Sequence, residues 1–160
     1  MSRDRDPAGR PRNARPRDAL GRPLPRSADD PGVLRIPDDL APPVLDDAVD
    51  LADTLLRDGQ PFHAHEVLES VWKSGPEGER DLWQGLAQVA VGITHARRGN
   101  ARGAVTLLRR GATRAGGYSG PAHGVAVARV ITEATELADR IERDGLAAIA
   151  DKSYAIALKD

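Results

Sequence analysis

The sequence predicts an all-α fold, a compact bundle of about five helices built from two helical hairpins plus a capping C-terminal helix. Three observations lead there. Aromatic residues make up only 3% of the 160 positions, so the core must come from Leu, Val, Ile and Ala, which suits helices in close contact. From about residue 42 to residue 143 apolar residues recur at three- and four-residue steps, the period of a helix with one buried face. The runs are broken at Gly59, at Ser74 to Pro76, at Gly99–Asn100 and at Gly116–Gly117, which leaves connections short enough to set neighbouring helices antiparallel.

Each element has its own justification. Leu45, Val49, Ala52 and Leu56 mark the first helix, with Asp46 and Asp47 at its positive end and Gly59 as its stop. Pro61 suits the first turn of the second helix, which runs to about Lys73. The third, from about Glu79 to Arg98, is apolar around most of its circumference through Leu82, Trp83, Leu86, Val89, Ala90, Val91 and Ile93, so it belongs at the centre. Ala104, Leu107, Leu108 and Ala112 form the inner face of a fourth helix, Ala101 to about Arg114. Heptad-like steps through Val127, Val130, Ile131, Ala134, Leu137, Ala138 and Ile141 define a fifth, about Ala122 to Arg143. The turn-then-helix pattern at Gly59 returns 40 residues later at Gly99, so the two hairpins share one plan that resembles tetratricopeptide hairpins without forming a solenoid.

Three segments follow from composition. Residues 1–35 are rich in Arg, Asp, Pro and Gly and read as an extended or disordered arm; residues 42–145 form a single helical domain; residues 146–160 form a tail. Within the arm, Leu20 and Leu24 flank turn residues and offer an anchor to the folded body. With 23 basic and 24 acidic residues the net charge is −1, so no global field recruits nucleic acid or anionic lipid. The absence of cysteine removes disulfides and thiolate chemistry, leaving His and carboxylate as the strong metal ligands. The longest apolar stretch, Leu86 to Ile93, is interrupted by Gln88 and is far too short to span a bilayer, and the N-terminus has no signal-like apolar run. The expectation is a cytoplasmic protein without a membrane or nucleic-acid partner.

Polar residues are placed unevenly on this plan. His65, Glu69 and Trp72 share one stripe of the second helix, and Gln84, Gln88 and His95 share one stripe of the third. A tight loop between the helices brings His95 level with His65, Gln88 near Glu69 and Gln84 near Trp72. His65, Glu69 and His95 are therefore candidate ligands for a divalent metal, although His65-Glu66-x-x-Glu69 supplies only one histidine of the zinc-protease helix motif. The same groups also suit acid–base work, or a purely structural network across the interface. His63 points away from the stripe and is expected at the surface or in the helix's N-terminal turn, and His123 has no visible partner.

The runs Pro61 to Trp72 (PFHAHEVLESVW), Leu82 to His95 (LWQGLAQVAVGITH) and Arg98 to Leu108 (RGNARGAVTLL) resemble, in order and spacing, the family called domain of unknown function 309. The arm from Arg15 to Pro25 is similar to that of actinobacterial members. The resemblance implies a compact helical fold with polar positions at His65, Glu66, Glu69, Trp72, Gln84, Gln88, His95 and Asn100, and it brings no activity with it. Two functional readings follow. One is a polar His/Glu/Gln pocket between the second and third helices that binds a small ligand or a metal ion. The other is a tetratricopeptide-like interaction module, with a structural polar stripe and a groove for a peptide.

Overall fold

In the computed structural model the described residues are 18, 20–23, 45–149 and 154–160. Among these are five α-helices: α1 (Leu45–Arg57), α2 (Pro61–Ser74), α3 (Arg80–Arg97), α4 (Ala101–Gly116) and α5 (Val127–Asp144). Most of the arm, including Leu24, and part of the tail lie outside the described residues. Packing follows chain order, with α1 on α2, α2 on α3, α3 on α4 and α4 on α5. This is the path of two hairpins plus a fifth helix. No helix among the described residues is long and apolar enough to cross a membrane.

Local chemistry sets the helix ends. Gly59 (φ 74°) and Gly99 (φ 80°) take the left-handed conformation that lets the chain reverse after α1 and α3. Asn100 caps α4, its side-chain Oδ1 accepting the Gly103 amide at 2.9 Å. The fifth helix starts later than the apolar spacing predicts, at Val127 instead of about Ala122. The reason is backbone geometry. His123 (φ 51°) and Gly124 (φ 81°) are both left-handed, a conformation a right-handed helix does not tolerate.

The centre of the molecule is α3. Leu82, Trp83, Leu86, Val89 and Ile93 are at most 2% exposed, as its near-continuous apolar circumference predicts. Its approach to α4 is closer than ordinary side chains permit. A Cβ on Gly111 would lie 2.6 Å from the Gly85 carbonyl oxygen, and one on Gly85 would lie 2.7 Å from the Ala115 nitrogen. Backbone therefore meets backbone there.

The C-terminal residues join the core without helical periodicity. Ile156 and Leu158 are buried, and the Leu158 and Lys159 amides donate to Asp53 Oδ1 at 2.6 and 3.2 Å. Ala126 donates its amide to the Leu158 carbonyl at 2.7 Å, and Arg129 and Arg57 donate to the Lys159 carbonyl at 2.6 and 3.0 Å. The tail is thus a strap that ties α1 to the start of α5. Burial pushes the Asp53 carboxyl up, but the Arg57 hydrogen bond and the two amides outweigh it and hold its pKa below the usual value.

Candidate functional site

Two anchors set the register of α2 against α3. The loop joins Ser74 to Arg80 through a short 3-10 turn, and at the other end Gly59 lies against the Arg97 guanidinium. These anchors place His65 level with about residues 89–91 of α3, within one turn of Gln88. His95 is level with about Pro61, four residues before His65, a separation of about 6 Å along the helix axis.

Their partners differ accordingly. His65 Nε2 lies 3.5 Å from Glu69 Oε2, and Lys73 Nζ holds Glu69 Oε1 at 2.8 Å. Both His65 and Glu69 are half-buried, with side chains 23% and 33% exposed. Burial lowers the His65 pKa against the opposing pull of Glu69, and Lys73 adds to the lowering. A neutral His65 whose Nε2 proton faces Glu69 presents Nδ1 as a lone pair. That Nδ1 is buried without a hydrogen-bond partner, and so is Gln88 Oε1.

His95 turns to the α3–α4 connection. Its Nδ1 accepts from Asn100 Nδ2 at 2.9 Å, while Asn100 Oδ1 caps α4. A Cβ on Gly103 would meet Asn100 Nδ2 at 2.6 Å and His95 Nδ1 at 3.0 Å. Burial first, then the charge of Arg98, lowers the His95 pKa, which suits an imidazole that accepts a hydrogen bond. His95 and Asn100 form a latch at the turn.

The other predicted positions are placed as follows. Trp72 is half-buried and packs against the core, and Gln84 is half-buried on α3. Glu66 Oε2 lies 3.4 Å from His63 Nδ1. His63 lies in the first turn of α2, one of the two places expected for it, and is 3% exposed, so it is not at the surface. The buried arc of α2 is wide because α1 and α3 both pack on that helix. Among the described residues no group of three His, Asp or Glu side chains is arranged to hold a metal ion, so the set His65, Glu69 and His95 is not assembled as the spacing suggested.

Two features go beyond the sequence reading, the first in its receptors and the second altogether. At the open end of the α2–α3 hairpin, the arm residues 18 and 20–23 are docked on the bundle. Arg98 donates from Nε (2.9 Å) and from Nη2 to the Leu20 carbonyl. Gly21 is buried against the Phe62 ring, where a Cβ would come within 2.3 Å of Cδ2. Asp18 shapes the turn, its Oδ1 accepting the Leu20 and Arg22 amides at 2.9 and 2.8 Å. The leucines of the arm pointed to docking; nothing marked Phe62 or Arg98 as its receptors.

The second feature lies at the opposite end of α3. Glu79 Oε2 accepts the Trp83 indole N–H at 3.0 Å, and Glu79 Oε1 lies 2.9 Å from His123 Nε2. The His123 ring lies 5.7 Å from that of Trp83. Burial raises the Glu79 pKa, but these hydrogen bonds outweigh it and the net shift is downward. The cluster borders a depression of about 570 Å³ lined in part by Glu79, Asp81 and Tyr118. The i, i+4 spacing of Glu79 and Trp83 is visible in sequence; the partnership with His123 is not.

These observations define a class: a helical-hairpin bundle with an arm segment seated at the open end of its α2–α3 hairpin. Residues 50–107 match the family model described as Domain of unknown function (DUF309), and the family resemblance read from the α2 to α4 runs is thereby shown. A similar protein is "Uncharacterized protein YpuF" of Bacillus subtilis (strain 168), 44% identical over 48 residues, or 29% of this chain. The match spans only 28% of that relative's length. No solved structure matches the chain.

Proposed function

We propose that the chain is a peptide-recognition module whose α2–α3 face receives a turn of backbone, with its own arm as a resident occupant. One observation carries the reading: the Leu20 carbonyl is gripped by two donors of Arg98 while Gly21 sits on Phe62. A charged fork on a backbone carbonyl, beside an aromatic seat that admits only glycine, is recognition of main chain in a defined conformation. Specificity then comes from the side chains that flank the gripped residue.

Exchange of the Gly21 amide, which donates to Asp18 O at 2.8 Å, reports the docking. Arg98→Ala should raise that exchange at least tenfold while amides in the centre of α3 stay protected, and a synthetic peptide of residues 16–25 should bind the native chain more weakly than a chain whose Leu20–Pro23 segment is replaced by serines. Unchanged exchange in Arg98→Ala would refute the grip. Equal peptide affinity for the two chains would refute a shared site.

The small-ligand reading keeps one observation of its own. His65 Nδ1 and Gln88 Oε1 are buried acceptors with no donor, and such groups cost about 1–3 kcal/mol each if nothing satisfies them.

A further inference from the structure

The seat at Arg98 and Phe62 takes its occupant by shape. Asp18 closes the arm segment into a turn. Its carbonyl accepts the Gly21 amide at 2.8 Å and its amide donates to the Arg22 carbonyl at 3.0 Å, while its Oδ1 accepts the Leu20 and Arg22 amides at 2.9 and 2.8 Å. The amides of Leu20, Gly21 and Arg22 are thus all spent inside the turn. The Leu20 carbonyl is left to the Arg98 guanidinium, which meets it with two donors. At the next position the backbone is left-handed, with φ 72° at Gly21, and a Cβ there would run into the Phe62 ring. Glycine is therefore required twice over, by conformation and by contact. Arg22 and Pro23, by contrast, are exposed. The features that the seat grips are main-chain ones, and the two residues that fix them are Asp18 and Gly21.

We propose that the seat takes one class of occupant, a protein segment that forms an Asp-x-x-Gly turn, and that Asp18 to Gly21 is the chain's own copy of it. This rests on the α2–α3 face being the recognition surface proposed above, and it names the segment that surface takes. Asp18 is then a positioning residue. Its carboxylate bonds to the turn's own amides, so it acts by holding the loop in its binding conformation before contact is made. The role is geometric, and an amide oxygen at the same place serves equally: Asn forms the same turn and Ala does not. A partner with this turn competes with the arm on equal chemistry, because the Arg98 fork meets a carbonyl that every residue carries. A segment without the turn does not seat, however similar its outward side chains.

Phe62 is the chain's only phenylalanine, so labelling that amino acid gives one ring signal by NMR that reports the seat. The native protein defines its filled position, and the chain with Leu20–Pro23 replaced by serines its empty one. In the full chain, Asp18→Ala and Gly21→Ala should move the signal toward the empty position. Asp18→Asn and Arg22→Ala should leave it filled, with amides at the centre of α3 protected in all four variants. The peptide of residues 16–25 should restore the filled signal when added to the serine chain. Its Asp18→Ala and Gly21→Ala versions should bind at least tenfold more weakly, and its Asp18→Asn and Arg22→Ala versions within about threefold of it. An Asp18→Ala or Gly21→Ala peptide of native affinity overturns the proposal. So does an Asp18→Asn peptide as weak as Asp18→Ala, because Asp18 then acts by charge. A native Phe62 signal that coincides with that of the serine chain, or a native peptide that leaves the serine chain unchanged, removes the recognition surface itself and this reading with it.

Discussion

The two sides of α3 are built on opposite terms. Toward α4 it presents Gly85 and Gly92, and α4 answers with Gly111, so backbones approach within the space a single Cβ would occupy. The principal contacts there are backbone, Val89, Leu108 and Ala115. On its outer arc the same helix carries Gln84 and Gln88, half-buried, with an acceptor left unpaired on Gln88. The first leaves no room for a Cβ at Gly85 or Gly111; the second carries an unpartnered acceptor. A chain that packs one flank of a helix to backbone contact, and leaves unmatched polar atoms on the other, has separated the surface that holds the fold from the surface that meets something else.

The largest effect should therefore come from the closed side. Gly111→Ala adds a methyl 2.6 Å from the Gly85 carbonyl oxygen and 2.8 Å from the Val89 side chain. Helix propensity would favour alanine by about 1 kcal/mol, but overpacking against backbone costs typically 1–3 kcal/mol and occasionally more. We expect a net loss of about 1–3 kcal/mol in chemical denaturation, the same at pH 8 and pH 5.5 because no titratable group lines this contact. A neutral or stabilising alanine would mean that the helices separate without cost, and the contrast between the two sides would fail.

How much of this contrast the sequence disclosed follows from what periodicity encodes. The helices, their order and the central place of α3 are legible because apolar spacing reports burial directly. Glycines inside α3 and α4 do not announce a helix crossing, since the same residue marks turns. The late start of α5 depends on His123 and Gly124 turning left-handed, with His123 bonded to Glu79, a residue 44 positions earlier. The strap at Leu158 depends on Asp53, 105 positions away. For the site, the stripes were legible and their partners were not. His95 lay on the predicted stripe yet its Nδ1 turns to Asn100, a residue five positions on that also caps α4 and that the stripe does not include. Arg98 and Phe62 had no pattern to betray them, since a grip on a main-chain carbonyl uses no side-chain partner.

A smaller and pH-dependent effect should come from the open side. The His65 pKa is depressed by burial, with Glu69 opposing and Lys73 assisting. The folded state therefore binds the proton less readily than the unfolded chain. Stability from this group is fully present above the ordinary histidine value of 6.5 and is lost as pH falls through the lower folded value. Replacing His65 by Gln, which keeps a polar side chain but cannot charge, should flatten that part of the stability profile below pH 6.5. An NMR titration giving His65 a pKa above 6.5, or a His65→Gln profile parallel to the native one, would show that Glu69 dominates and that the flank is a structural ion pair.

The smallest effect is the sharpest test of the comparison. Gln88→Leu keeps the size of the side chain and removes the unpaired oxygen. If the flank served only the fold, the amide would be making hydrogen bonds there, and losing them would cost about 1–3 kcal/mol through the partners left unsatisfied. If the oxygen has no partner within the chain, its removal relieves a desolvated acceptor and the variant should be within about 1 kcal/mol of native, or more stable. The expected result is thus thermal stability held or raised. A loss of more than about 1 kcal/mol would show that the Gln88 amide serves the fold, and would leave Arg98 and Phe62 to carry recognition alone.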